Sequence, residues 1–357
     1  VEIGSIEELA SEQRLRAVME AAWSDYEDPR RLVDVVELSA MVSTNRVYRL
    51  VLDDGDSVVA KVSNYGSFFL FAEDHDRLHR CTQLLQGTRY ERFLAEVLIQ
   101  DGRPYIWYDG EFWAILYREV PLGVRLPKIL TPDQVDNLAV EIAEFHKACA
   151  EVATEIPPTS TSIKSDAIHL LEMVTDRHSS QQFGLDQSRL DMVQRHTHRF
   201  LTALHEQQYD YWQKIPVLID WNLGNFSVEF SGERFRFFSR WDYDWFRVES
   251  RVLDFYFLSR VSSRTGDRSR FTYGSHTLTE PRFKRFLRAY HQQFPLTEDE
   301  VLFLGEAYRF FLLNYVIREG RHFFRHDIWR SLQHDVVDVH LPALDHLDLR
   351  PLLDELS

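Results

Sequence analysis

Cysteine is nearly missing from this chain: Cys81 and Cys149 are the two among 357 residues. Two are too few for a disulfide scaffold or a cysteine-based metal site, and such scarcity favours a reducing compartment. Glycine and proline are also sparse, at 14 and 12 residues. With no low-complexity tract, that excludes collagenous and wholly disordered chains. Long basic runs are missing too. The 41 basic side chains are outnumbered by 56 acidic ones, leaving a formal charge of −15, so nucleic acid is not an expected partner. Long apolar runs are missing as well: Phe310 to Ile317 is broken by Asn314 and is too short to cross a bilayer. The opening Val1-Glu2-Ile3-Gly4 lacks the basic-then-apolar pattern of a secretory leader. The expectation is a soluble, cytoplasmic protein with no membrane partner.

Aromatic side chains, by contrast, are plentiful: 25 Phe, 15 Tyr and 8 Trp make up 13% of the chain. That volume demands a large core, an aromatic-lined cavity, or both. The acidic balance is compatible with a cationic ligand.

The pattern divides the chain into two unlike parts. Ser5-Ile6-Glu7-Glu8 reads as a capping box that opens a helix through Leu9, Leu15, Val18, Met19 and Trp23. Val47–Leu52 and Ser57–Val62 then read as strands joined by the turn Asp53-Asp54-Gly55-Asp56. A helix is expected over Phe71–Leu85, with two more strands at Tyr105–Tyr108 and Trp113–Glu119. Pro121-Leu122-Gly123 breaks this pattern, and helices dominate afterwards. One is announced by the capping box Thr131-Pro132-Asp133-Gln134, others fall at about 166–176 and 187–212, and Thr297-Glu298-Asp299-Glu300 caps a later one. The exception is a hairpin, Phe226–Phe230 and Arg234–Ser239 around Ser231-Gly232-Glu233. A cleft between two such lobes is a natural ligand site.

Four features carry chemistry. Ser43, Thr44 and Asn45 form a polar turn before the first strand, where short side chains and free N–H groups suit phosphate oxygens. Lys61 stands among Val58, Val59, Ala60 and Val62, and a buried lysine needs a charged partner. Nucleotide phosphates on one side and a helix carboxylate on the other would serve; Glu73 leads, with Asp74 and Asp76 as alternatives. The run Val217-Leu218-Ile219 delivers Asp220 to a loop, and Asn225 follows five residues later at the start of a strand. Such an Asp can take a hydroxyl proton, and an amide oxygen is a suitable hard ligand for Mg²⁺. The hairpin returns the chain to Trp241-Asp242-Tyr243-Asp244, bringing Asp242 beside Asn225.

In this order and spacing the features resemble the aminoglycoside phosphotransferase/choline kinase-like family, the small-molecule relatives of protein kinases, over roughly residues 38–260. The resemblance implies an α+β, two-lobed, protein-kinase-like fold, with a small antiparallel sheet as N-lobe and a mainly helical C-lobe. It divides the chain into a helical extension (1–34), a nucleotide-binding lobe (35–122) and a helical lobe (123–357). It implies an ATP- and Mg²⁺-dependent kinase acting on a hydroxyl of a small molecule. By this resemblance Asp220 is the catalytic carboxylate and Asn225 and Asp242 are the metal ligands. Ser43, Thr44, Asn45, Lys61 and Glu73 bind the nucleotide, while Glu119 and Val120 offer backbone groups to its base. Asp254 resembles the Asp that supports the active-site loop, and Ile142–His146 a helix that usually ends in Leu-His. One departure is plain: Leu218 and Ile219 stand where the family has His-Gly. That departure keeps a catalytically degenerate nucleotide-binding protein as an alternative. A metal-dependent glycosyltransferase using Asp242 and Asp244 is a further one, although it would leave Lys61 and the Asp220–Asn225 spacing unexplained. For the acceptor, aromatics such as Tyr209, Trp212, Trp245 and Tyr273 and carboxylates such as Asp210, Glu249 and Asp267 suit an amine-bearing molecule.

Overall fold

A computed structural model describes residues 6–39, 46–268 and 274–356. Helix α1 (Ile6–Asp25) leads into strands β1 (Leu32–Glu37), β2 (Arg46–Leu52) and β3 (Ser57–Ser63), then helix α2 (Phe68–Leu84). The two-residue strands β4 (Ile99–Gln100) and β5 (Arg103–Pro104) precede β6 (Ile106–Tyr108) and β7 (Trp113–Arg118). An antiparallel sheet forms in the order β1-β2-β3-β7-β6. The expected β2–β3 turn is made on Gly55, whose φ of +87° costs glycine little. Strand β1 was not legible from the sequence, because a register shift between Leu32 and Asp34 breaks its alternation and little of it is buried.

Alternation gives the sheet two jobs. Leu50, Leu52, Val58, Ala60 and Val62 face one way and share a core with Leu15, Val18, Met19 and Trp23 of α1. The first helix therefore packs as an outer layer on the sheet. Val47, Val59, Lys61 and Tyr117 face the other way and line a cavity at the junction with the helical part.

That part opens with α3 (Pro132–Val152), capped by Thr131 and Gln134 in reciprocal hydrogen bonds. Helices α4 (Ile163–Thr175), α5 (Ser179–Phe183) and α6 (Gln187–Glu206) follow. Helix α6 stops short of the expected residue 212 because Gln208 turns to a φ of +48°. After strand β8 (Ile215–Val217) comes the hairpin β9 (Phe226–Ser231) and β10 (Arg234–Arg240), then β11 (Arg247–Glu249), α7 (Phe255–Ser262) and α8 (Pro281–Gln293). The β8–β11 pair, Val217 opposite Arg247, was not expected; each strand has three residues and one carries Pro216. It clamps the two ends of the segment that holds Asp220, Asn225 and Asp242. Helix α2 is tied to the helical lobe: the Arg77 guanidinium donates to the carbonyl of Pro158 at 2.7 Å and Arg80 pairs with Glu155 at 3.1 Å. No helix among the described residues is long and apolar enough to cross a membrane.

Candidate active site

The site is built on a buried segment. Val217, Leu218 and Ile219 are all within the core, which carries the chain inward before it turns out at Asp220. The turn is tight: the amide of Asp220 donates back to Leu218 at 2.7 Å and that of Trp221 to Ile219 at 3.0 Å. Ile219 takes a φ of +58°, where a β-branched side chain is strained by about 1–3 kcal/mol. Buried polar groups hold it there. The fully buried carboxylate of Asp254 accepts the Ile219 amide at 2.7 Å, the Trp221 indole N–H at 2.7 Å and a hydrogen bond with His146 at 2.8 Å. The other ring nitrogen of His146 meets the Tyr290 hydroxyl at 2.8 Å. Arg240, also fully buried, donates to the Asp220 carbonyl at 2.7 Å, with its guanidinium 4.9 Å from the centre of the Trp221 ring. Burial raises the Asp267 carboxyl, which Arg260 and the backbone of Leu223 and Gly224 oppose. The loop is thereby fixed from below at Ile219, Asp220 and Trp221.

The side chain of Asp220 receives the Asn222 amide at 3.1 Å. Burial and the nearby charge of Asp242 push its carboxyl up to about 6, against the pull of that amide and of Arg240. Register explains the next neighbour: Phe226 pairs with Arg240, so Asn225 and Trp241 flank the open end of the hairpin, joined by a 3.0 Å backbone hydrogen bond. Asn225 and Asp242 thus stand on one edge and offer an amide and a carboxylate oxygen, the hard donors that a divalent cation such as Mg²⁺ requires. Across from them Lys61 reaches down from β3, with Nζ 3.4 Å from Asp242 and in contact with Asp244. Burial lowers the affinity of its amine for a proton, which Asp242 and Asp220 oppose. Lys61, Asn225 and Asp242 all line one cavity of about 560 Å³, together with Glu119, Val120 and Tyr117 from the sheet side. Among the described residues, no three His, Cys, Asp or Glu side chains form a metal-binding group. The donor set fits a cation whose remaining ligands come from phosphate and water.

One expectation needs correction. Lys61 does not pair with a carboxylate of α2. Glu73 turns to Arg77 at 3.5 Å and to the Ser160 hydroxyl, Asp74 meets Arg77 at 3.2 Å, and Asp76 is exposed. The inward position on α2 belongs to His75, whose ring bonds the Phe71 carbonyl at 2.7 Å and the Tyr117 hydroxyl at 2.6 Å. The Glu119 carboxylate is bound to Arg49 at 2.8 Å and to Ser57, although the residue lines the cavity. The turn residues Ser43, Thr44 and Asn45 lie outside the described residues, as do Phe271 and Tyr273. Most of the helical-lobe aromatics are core: Tyr209 and Phe246 are buried, and Trp245 packs on Tyr315 at 4.5 Å. The carboxylates expected beside them are also engaged, Glu249 with the Tyr209 hydroxyl at 2.8 Å and Asp210 with Lys164. Sequence reasoning missed Trp221, Arg240 and His75. Tryptophan and arginine in an apolar stretch signal burial, but nothing local names their partners.

No protein-family model matches the sequence, and no curated protein matches it. Solved structures do. The amicoumacin kinase hAmiN, in complex with AMP-PNP, Ca²⁺ and Ami, superposes with a TM-score of 0.59 at 12% identity, over 92% of this chain and 97% of that one. The microcompartment-associated aminopropanol kinase gives 0.57 at 15% identity, over 95% and 98%. The GDP complex of wild-type aminoglycoside 2'-phosphotransferase-IIIa gives 0.56 at 15% identity, over 92% and 98%. At these identities the likeness is one of fold, and it runs nearly the full length of both partners. The chain has the two-lobed, protein-kinase-like fold of the small-molecule phosphotransferases.

Proposed function

We propose that the protein is an ATP- and Mg²⁺-dependent kinase that transfers the γ-phosphate to a hydroxyl of a small, amine-bearing molecule. The observation that carries this is the meeting of Lys61, Asn225 and Asp242 on one cavity wall, with Asp220 at the turn beside them. The nucleotides and small-molecule kinase activities named for the structural neighbours support it.

In this reading the base lies against Glu119 and Val120, and Lys61 pairs with the phosphates. Asn225 and Asp242 would hold Mg²⁺, which would supply charge neutralisation to the phosphates. Asp220 orients the acceptor hydroxyl and takes its proton as the new O–P bond forms and the bond to the β-phosphate oxygen breaks, releasing ADP. The raised proton affinity of Asp220 suits a carboxylate that must accept a proton late in the step. Most of the rate then comes from positioning and fixed charge rather than from covalent chemistry. An amine on the acceptor agrees with the net charge of −15.

One observation favours a second reading, a nucleotide-binding protein without turnover: Ile219, strained before Asp220, stands where the resembling family has glycine. A coupled ADP-release assay over kanamycin, 1-amino-2-propanol and choline, with and without Mg²⁺, separates the two. Acceptor-dependent release supports the kinase. Nucleotide binding with no release for any hydroxyl acceptor supports the second reading, and no nucleotide binding overturns both. The glycosyltransferase alternative finds no support in a kinase-like fold in which Asp244 is engaged by Lys61.

A further inference from the structure

Lys61 is 6% exposed, and an ammonium so deeply placed is tolerated only beside a carboxylate. Helix α2 supplies none. Its acidic side chains serve Arg77 and Ser160 or face solvent, and the imidazole of His75, bonded on both nitrogens, fills the inward position. The carboxylates that reach Nζ come instead from the opposite lobe, 181 and 183 residues further along the chain.

Their placement is specific. Asp242 takes a φ of +70°, which bends the chain so that Asp242 and Asp244 both turn to Nζ. Tyr243 between them is buried on the other side, where its hydroxyl donates to the Arg240 carbonyl at 2.7 Å and accepts the Ala95 amide at 2.6 Å. The anchored Tyr243 sets where its two neighbours point. From this we infer that Asp244 is the standing partner of Lys61: a positioning residue that holds the ammonium over the Asn225–Asp242 edge in place of a carboxylate from α2. The consequence rests on the phosphotransferase reading. A cation bound at Asp242 takes one of the two carboxylates away from the lysine, and Asp244 is then what keeps Nζ in place for the phosphates.

Two measurements on the full chain test this. The first needs no nucleotide: a double-mutant cycle of Lys61→Met with Asp244→Asn, read by thermal unfolding, beside a cycle of Lys61→Met with Glu73→Gln. The Lys61–Asp244 cycle is expected to be non-additive, with the double variant melting well above the sum of the two losses, and the Lys61–Glu73 cycle additive. Additivity at Asp244, or coupling at Glu73 instead, overturns the pairing. The second is calorimetric titration with Mg²⁺–ATP. Asp244→Asn is expected to weaken binding at least about tenfold while still folded, and Asp244→Glu, which restores the charge, to recover most of that loss. Wild-type affinity in Asp244→Asn overturns the positioning role. If the wild type itself does not bind Mg²⁺–ATP, the phosphotransferase reading and the phosphate-positioning role fall together, and the first cycle still decides the pairing.

Discussion

The two walls of the cleft are built differently. Below, the Asp220 loop is fixed within its own lobe: Asp254, His146, Trp221 and Arg240 are all buried, and hydrogen bonds to Asp254 and Arg240 hold the backbone on either side of the Asp220 side chain. Above, Lys61 hangs from a strand with no acidic partner among the described residues of its own lobe, and its charge is met by Asp242 and Asp244 across the gap. The lower wall is preorganised, whereas the upper wall depends on the lower one. Changes at the Asp220 loop are therefore expected to act on turnover, and changes at Lys61 and its partners Asp242 and Asp244 on nucleotide affinity.

The largest expected effect is at Asp220. On the kinase reading, Asp220→Ala removes the proton acceptor and should lower acceptor-dependent ADP release by about 10²–10⁴-fold, with Mg²⁺–ATP affinity close to wild type and a melting temperature no lower. Undiminished release in the folded variant would remove the assignment. Next is Asp254→Ala, which orphans the Ile219 amide, the Trp221 indole and His146 in a dry core, at about 1–3 kcal/mol for each unpaired group. Urea unfolding should show the loss as a lower midpoint, and turnover should fall with it. If the midpoint holds, the lower wall is not braced through Asp254.

The pH profile sharpens the comparison further. The Asp220 carboxyl is raised to about 6, so turnover should climb as pH rises through that value. Stability has the opposite sign: the folded chain keeps a proton that the unfolded chain gives up near its ordinary value, so this contribution is present at low pH and lost as pH rises through about 6. Asp220→Asn should therefore melt higher than the wild type above that range and no higher well below it. The smallest effect concerns backbone strain. At an ordinary core site glycine is less stable than alanine, but at the +58° φ of Ile219 the order should invert, Ile219→Gly exceeding Ile219→Ala by about 1 kcal/mol in urea unfolding.

Residue type and spacing made much of the lower wall legible. Asp220, Asn225 and Asp242 stood out because a carboxylate, an amide and a second carboxylate were separated by a short loop and a readable hairpin; the structure sets Asn225 and Asp242 on the cavity wall, with Asp220 near Asp242. The braces were less legible. Nothing local in the sequence joins Trp221 to Arg240 until the fold brings the guanidinium to 4.9 Å from the ring centre. The partner of Lys61 was misplaced because a helix carboxylate nearby in sequence is the economical choice, while the partners found here are 181 and 183 residues away. Strands β8 and β11 escaped because three residues are too few to show a period of two.

The account stands most directly on whether this cleft takes a nucleotide through its metal edge. Calorimetric titration of the wild type and Asp242→Ala with ATP and with GTP, each with and without Mg²⁺, measures that. The prediction is saturable binding by the wild type that weakens at least about tenfold when Mg²⁺ is withheld or Asp242 is replaced. Binding indifferent to both changes, or no binding of either nucleotide, would contradict it.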